Sequence, residues 1–313
     1  LGSVLPLLLQ RESIYSKKTS YKINPEKLFD KFVAPIIFAT LHCEKFGNSS
    51  IVKFNLREFQ VRVTFLGTGT SQGVPVIACP CQVCRSFDPR DKRLRSSVMI
   101  EENGLSIVID TGPDFRTQML REHVTNVDAI LFTHEHKDHT AGLDDIRSFN
   151  YLKQRPMDVY AEEAVIRSLK MEFAYVFAEK KYPGVPQIEV HSIGTEPFMI
   201  RDLTIIPIRA IHYQLPVLGF RIGDFTYITD ANYIPGDEKE KIAGTRHLVI
   251  SGLRKQKHIS HFSLSEAIEL INEFSPKRGY ITHISHQMGL HEEVSRELPP
   301  NVMLAYDGLK IEF

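Results

Sequence analysis

The chain has 313 residues, enough for one large core, and its 38 basic and 38 acidic residues leave no formal net charge, so no overall field draws it to nucleic acid or anionic lipid. A hydrophobic content of 42% and a charged content of 24% are those of a globular domain and exclude disorder of the whole chain. The longest apolar run near the start, residues 4–9, is far shorter than a membrane span and lacks the flanks of a signal segment.

Residues 1–58 scatter Ser, Lys and Asn without a sustained period and read as an N-terminal appendage, whose place in the mature protein is left open. The main domain is expected over residues 59–313. It opens at residues 61–66, an alternating strand that runs into the tight loop Gly67-Thr-Gly69. Three of the four cysteines then crowd into Cys79-Pro-Cys81-Gln-Val-Cys84, too close together to staple distant parts of a fold, which points to metal ligation in a reducing, cytoplasmic setting. Residues 105–109 and 129–132 read as buried strands, and each stops at a polar cluster: Asp110 to Arg116 after the first, Thr133 to His139 after the second. Strand ends of this kind carry active sites. A helix is expected over 162–173, and strands over 203–208, 219–222 and 225–229, the last two joined by Gly223-Asp224. A further helix opens at Ser263, whose spacing to Glu266 is that of a capping box. No internal repeat is sharp enough to count.

The strongest chemical signal is His134-Glu-His136-Lys-Asp138-His139. In an extended or turning segment, His134 and His136 point to one side while Asp138 and His139 reach a second point nearby. Imidazole and carboxylate suit Zn, Mn or Fe, and two metals about 3.5–4 Å apart can activate one water.

Thr133-His134-Glu-His136-Lys-Asp138-His139 resembles the T-H-x-H-x-D-H signature of the metallo-β-lactamase superfamily, and the likeness runs from about Val61 to Phe313. It implies that His134, His136 and His212 hold one metal, that Asp138, His139 and His283 hold the other, and that Asp230 bridges the two. Asp230 ends an apolar strand, where a buried carboxylate is costly unless paired or coordinating. The cysteine trio, His286, the segment Phe65 to Pro75 and the segment Asp110 to Arg116 are similar to the phosphodiesterase of phosphonate degradation, which cleaves a phosphoribosyl cyclic phosphate. That resemblance implies a structural zinc on Cys79, Cys81, Cys84 and His286. It also makes His261, in Lys257-His258-Ile-Ser-His261, a residue that contacts the phosphate or protonates the leaving oxygen; Asp138 and His261 are the expected catalytic residues, Asp138 doubling as a ligand.

The fold that the resemblance implies is α/β (α+β): an αββα sandwich of two mixed β-sheets flanked by helices. The expected function is metal-dependent hydrolysis of a small, cyclic phosphodiester, with two divalent metals (Mn or Zn) in the active site. The expected partner is that small molecule, with no membrane; nucleic acid is disfavoured, since no basic, Gly-rich arm is inserted, and a homodimer is left open. The alternatives are a ribonuclease Z-like nuclease, a thioester or lactone hydrolase of the same fold, and a non-enzymatic metal-binding module.

Overall fold

A computed structural model describes residues 41–46, 49–54 and 61–313. The chain divides into two units, Leu1–Glu58 and Phe59–Phe313. In the first, the described residues form two antiparallel strands, β1 (Leu41–Phe46) and β2 (Ser49–Phe54), with Leu41 opposite Phe54. The reading of residues 1–58 as an appendage otherwise lies outside the described residues.

The second unit holds two seven-stranded sheets. The first contains β3 (Arg62–Gly67), β4 (Ser97–Glu102), β5 (Leu105–Ile109), β6 (Ala129–Leu131), β7 (Met157–Ala161) and β8 (Ile188–Ser192). The second contains β9 (Phe198–Ile200), β10 (Leu203–His212), β11 (Leu215–Ile222), β12 (Phe225–Ile228), β13 (His247–Ser251), β14 (Arg278–Thr282) and β15 (Val302–Leu304). The last strand, β16 (Lys310–Glu312), returns to the first sheet and pairs antiparallel with β3. Both sheets follow one plan, three antiparallel joins followed by three parallel ones. In that plan β5 and β12 hold equivalent places.

The sheets meet through Phe65, Ile100, Ile107 and Ile109 on one side and Leu218, Phe220, Phe225 and Tyr227 on the other. Helices cover the outer faces. Over the first sheet lie α2 (Phe115–Arg121), α4 (Arg147–Lys153), α5 (Glu163–Glu172) and α6 (Ala174–Phe177); the short α1 (Gln82–Arg85) precedes them, and the short α3 (Lys137–Thr140) lies between α2 and α4. Over the second lie α8 (Leu264–Phe274) and α9 (His291–Glu297), after the single turn α7 (Gly236–Lys239). Burial on both faces explains why strands such as β5 are apolar at almost every position. This is the αββα sandwich of the metallo-β-lactamase fold.

β10 and β11 run longer than residues 203–208 and 219–222, because Arg209 is no loop residue: its guanidinium pairs with Glu162. Gly219, which looked like a strand start, lies inside β11 because a side chain there would strike Ile228 and Tyr227. The seven-residue helices α2, α4 and α9 had no counterpart in the sequence reading, being too short to display a period. Among the described residues no helix is long and apolar enough to cross a membrane.

Candidate metal centre

β6 delivers Phe132 and Thr133 to the sandwich rim, and the chain bends at Thr133 and Glu135 before His136, itself extended, leads into α3. Asp138 and His139 therefore stand on a helical turn, one step beyond His134 and His136 in the bent segment. Gly112 lets this happen: a Cβ there would sit 2.1 Å from the carbonyl of Asp138, so the loop after β5 can press against α3. Three further groups arrive from strand ends, His212 from β10, Asp230 just past β12 and His283 just past β14. The loop Gly67-Thr-Gly69 passes alongside, with Thr70 donating its amide to the carbonyl of Ile284.

The proposed ligand atoms fall into two sets, each within 4.8 Å: His134, His136 and His212, then Asp138, His139, Asp230 and His283, with His212 and Asp230 forming a further set with His261. Nε2 of His134 lies 3.0 Å from Nδ1 of His136, about the separation of two nitrogens on one tetrahedral metal. Oδ2 of Asp230 stands 3.9 Å from Nε2 of His134 and 3.4 Å from Nε2 of His139, between the two sets.

Behind them lies Asp110, fully buried, a residue with no assigned role in the sequence reading. It accepts from Nδ1 of His139 at 2.7 Å, from the Thr133 amide and from the Thr133 hydroxyl, which itself contacts Nδ1 of His134 at 2.9 Å. Nδ1 of His212 likewise donates to the carbonyl of Ser260 at 2.8 Å. These bonds turn the Nε2 lone pairs of His134, His139 and His212 inward. Nε2 of His139 and of His283 are buried without hydrogen-bond partners, although Nε2 of His139 is 3.1 Å from Oδ2 of Asp138. A ring nitrogen facing carboxylate oxygens is satisfied by a proton or by a cation between them, and the donor set gathered here fits a divalent metal. Burial opposes charge on Asp230, yet His283 and His139 outweigh it and hold its pKa well below the usual carboxylate value. Burial likewise opposes charge on His139, whose pKa is nevertheless raised well above that of a free imidazole by Asp230, Asp138 and Asp110.

His261 reaches the same rim. Its ring centroid is 4.5 Å from that of His212 and 4.8 Å from that of His283, and its Nδ1 is buried without a partner. Burial, reinforced by His283, lowers its pKa to about 3, so the ring rests neutral. His258 lies farther out, 5.4 Å from His261.

Cys79, Cys81, Cys84 and His286 form a separate set of ligand atoms within 4.8 Å. The Sγ atoms of Cys79 and Cys81 each lie 3.3 Å from Nδ1 of His286. The Cys84 amide, donating to Cys81 Sγ, lowers that thiol to about 6, whereas burial pushes Cys84 up to about 11. Three sulfurs and one imidazole at such spacing suit tetrahedral zinc.

A cleft of about 470 Å³ opens beside His136 and His212, lined also by Tyr213, Gln214, Leu215, Ile259 and Ser260. A larger cavity of about 820 Å³, bounded by Arg147, Asn150, Tyr151 and Gln187 among others, includes none of the ligating groups; the chemistry belongs to the smaller cleft.

A beta-lactamase superfamily domain matches residues 106–284, the stretch that carries all seven proposed ligands, His283 one residue before its end. The crystal structure of a diphosphatase from the PhnP family shares 41% identity and superposes with a TM-score of 0.76 over 81% of this chain and 97% of that one. The chain belongs to the PhnP branch of the β-lactamase superfamily. Membership in that superfamily agrees with the His and Asp ligand sets gathered at the sandwich rim. An octanoyltransferase of Porphyromonas gingivalis is 42% identical over 253 residues, covering 80% of this chain and 51% of that protein; the chain thus spans about half the length of that relative. A ribonuclease Z of Methanopyrus kandleri is 33% identical over 260 residues, 71% of this chain and 93% of that protein.

Proposed function

We propose that this hydrolase cleaves a small, cyclic phosphodiester by attack of water at phosphorus, with His134, His136 and His212 holding one metal, Asp138, His139 and His283 the other, and Asp230 shared. The observation that carries the reading is the placement of Asp230 Oδ2 between the two sets, with the likeness to a PhnP-family diphosphatase supporting phosphorus rather than carbon as the centre attacked. When bound, two metals, Mn or Zn, supply Lewis acidity and a water activated near neutral pH. The residues do the rest. Asp110 and Thr133 fix the tautomers of His134 and His139. Asp138 and Asp230 stay ionised and so remain ligands across the working pH range. His261, neutral at rest, takes up a proton from solvent and delivers it to the departing alkoxide, while the proton that the attacking water loses passes to solvent, so protons balance. Cys79, Cys81, Cys84 and His286 hold a zinc that braces the loop.

Metal-loaded protein assayed on cyclic phosphates, an acyclic phosphodiester, RNA and a thioester tests this. Turnover of the phosphodiesters is expected; cleavage of the thioester alone would overturn the reading. His261→Ala should lower turnover by roughly 10²–10⁴-fold on an alkoxide leaving group, and less on a nitrophenolate, which departs without a proton. Metal content should be unchanged. An equal loss on both leaving groups would recast His261 as a residue that positions the phosphate.

A second reading, a ribonuclease Z-like nuclease, draws on the 33% identity across nearly the whole Methanopyrus kandleri protein. Salt-sensitive RNA binding would favour it.

A further inference from the structure

The cleft beside His136 and His212 has a wall that metal binding does not require. Tyr213, directly after a proposed ligand, is 53% exposed, and Ile259 is 69% exposed; both line the cleft with Leu215. The segments that bear them are tied together where Nδ1 of His212 donates to the carbonyl of Ser260. Water-facing apolar groups gathered around a cleft mark a place where a ligand covers them.

Tyr213 is also held at a backbone cost. It starts the two-residue turn between β10 and β11 at φ +60°, a left-handed conformation that is unfavourable for a residue other than glycine and is usually given to Gly or Asn. The side-chain oxygen of Asn232 accepts from the Tyr213 amide at 2.5 Å and so stabilises that bend. An aromatic ring kept at such a position has a use that a glycine could not serve.

We propose that Tyr213 is a specificity-determining residue: its ring stacks on a flat ring carried by the substrate on the His136–His212 side, with Ile259 and Leu215 as the apolar flanks. This rests on the phosphodiesterase reading. A flat ring is favoured over an alkyl group because stacking rewards the aromatic face beyond the area buried, by about three- to tenfold in affinity. Asn232 is a positioning residue that sets the angle of the turn.

The test compares three diesters with one p-nitrophenyl leaving group and a methyl, cyclohexyl or phenyl group on the retained ester, on the metal-loaded protein. The phenyl ester should exceed the other two in kcat/KM by about three- to tenfold. The phenyl-to-methyl ratio should fall to near one in Tyr213→Ala and persist in Tyr213→Phe. A cyclohexyl ester as good as phenyl, or a ratio unmoved by Tyr213→Ala, would overturn the proposal while leaving the hydrolase reading intact. Calorimetric binding of phenylphosphonate and cyclohexylphosphonate separates the two ideas. If no diester turns over but Tyr213 still favours phenylphosphonate, the reaction is wrong and the subsite stands. If neither preference appears, the subsite falls.

Discussion

Asp110 touches no substrate in the proposed mechanism, yet it fixes the hydrogen-bonding state of two ligands at once. In Asp110→Asn, an amide NH₂ placed against Nδ1–H of His139 would drive that ring to the wrong tautomer. Metal affinity or turnover should then drop about 10–100-fold with secondary structure retained. Metal titration of the folded variant checks this; full affinity would show that Asp110 is merely a buried partner. A second outcome follows from the thiols. With metal stripped, the Cys81 thiol at about 6 is mostly thiolate at pH 7, whereas Cys84 at about 11 is protonated, and thiolate is the form that alkylates. Iodoacetamide followed by mass spectrometry should therefore label Cys81 well before Cys84, and bound zinc should suppress both. Equal labelling would remove the amide's claimed influence. His134, His136, Asp138 and His139 were legible because four residues of ligand type fall within six positions. Asp110 was quoted only as part of a polar cluster, although the cost of a buried carboxylate, weighed for Asp230, applies to it equally. Tyr213 left no signal, since a lone Tyr in a turn says nothing of its φ.

The elements that carry these residues differ in how openly the chain announces them. α8 was readable from its start: Ser263 accepts from the Glu266 amide while the Glu266 carboxylate accepts from the Ser263 amide, both halves of a capping box. Ser263→Ala should cost about 1 kcal/mol and lower the melting temperature by about 2–4 °C, as differential scanning calorimetry would show. A shift much larger than that would mean that the buried Ser263 supports the nearby His261 segment as well. By contrast, the last turn of each site-bearing strand was hidden. Asp110, Asp230 and His283 take φ values of +64°, +52° and +56°, strained for residues with a side chain. Propensity would place Gly or Asn there; the demands of the metal centre override it.

At the scale of the molecule, every proposed ligand lies past Val61, so a protein lacking residues 1–58 should keep its hydrolytic rate; soluble protein with lost activity would contradict the boundary. The two layers were expected from the resemblance to the superfamily, but the shared plan of the sheets was not. Asp110, one residue past β5, and Asp230, two residues past β12, share a residue type and a positive φ. The return of β16 to β3 leaves residues 61 and 313 exchanging both backbone hydrogen bonds, at 3.0 and 3.1 Å. A unit whose first and last residues are neighbours in a ladder can be spliced into another protein through two adjacent strands without pulling either end across the fold. It is also a unit whose first sheet lacks its outermost strand until residues 310–312 have emerged, so β3 waits as an open edge while the strands between are made.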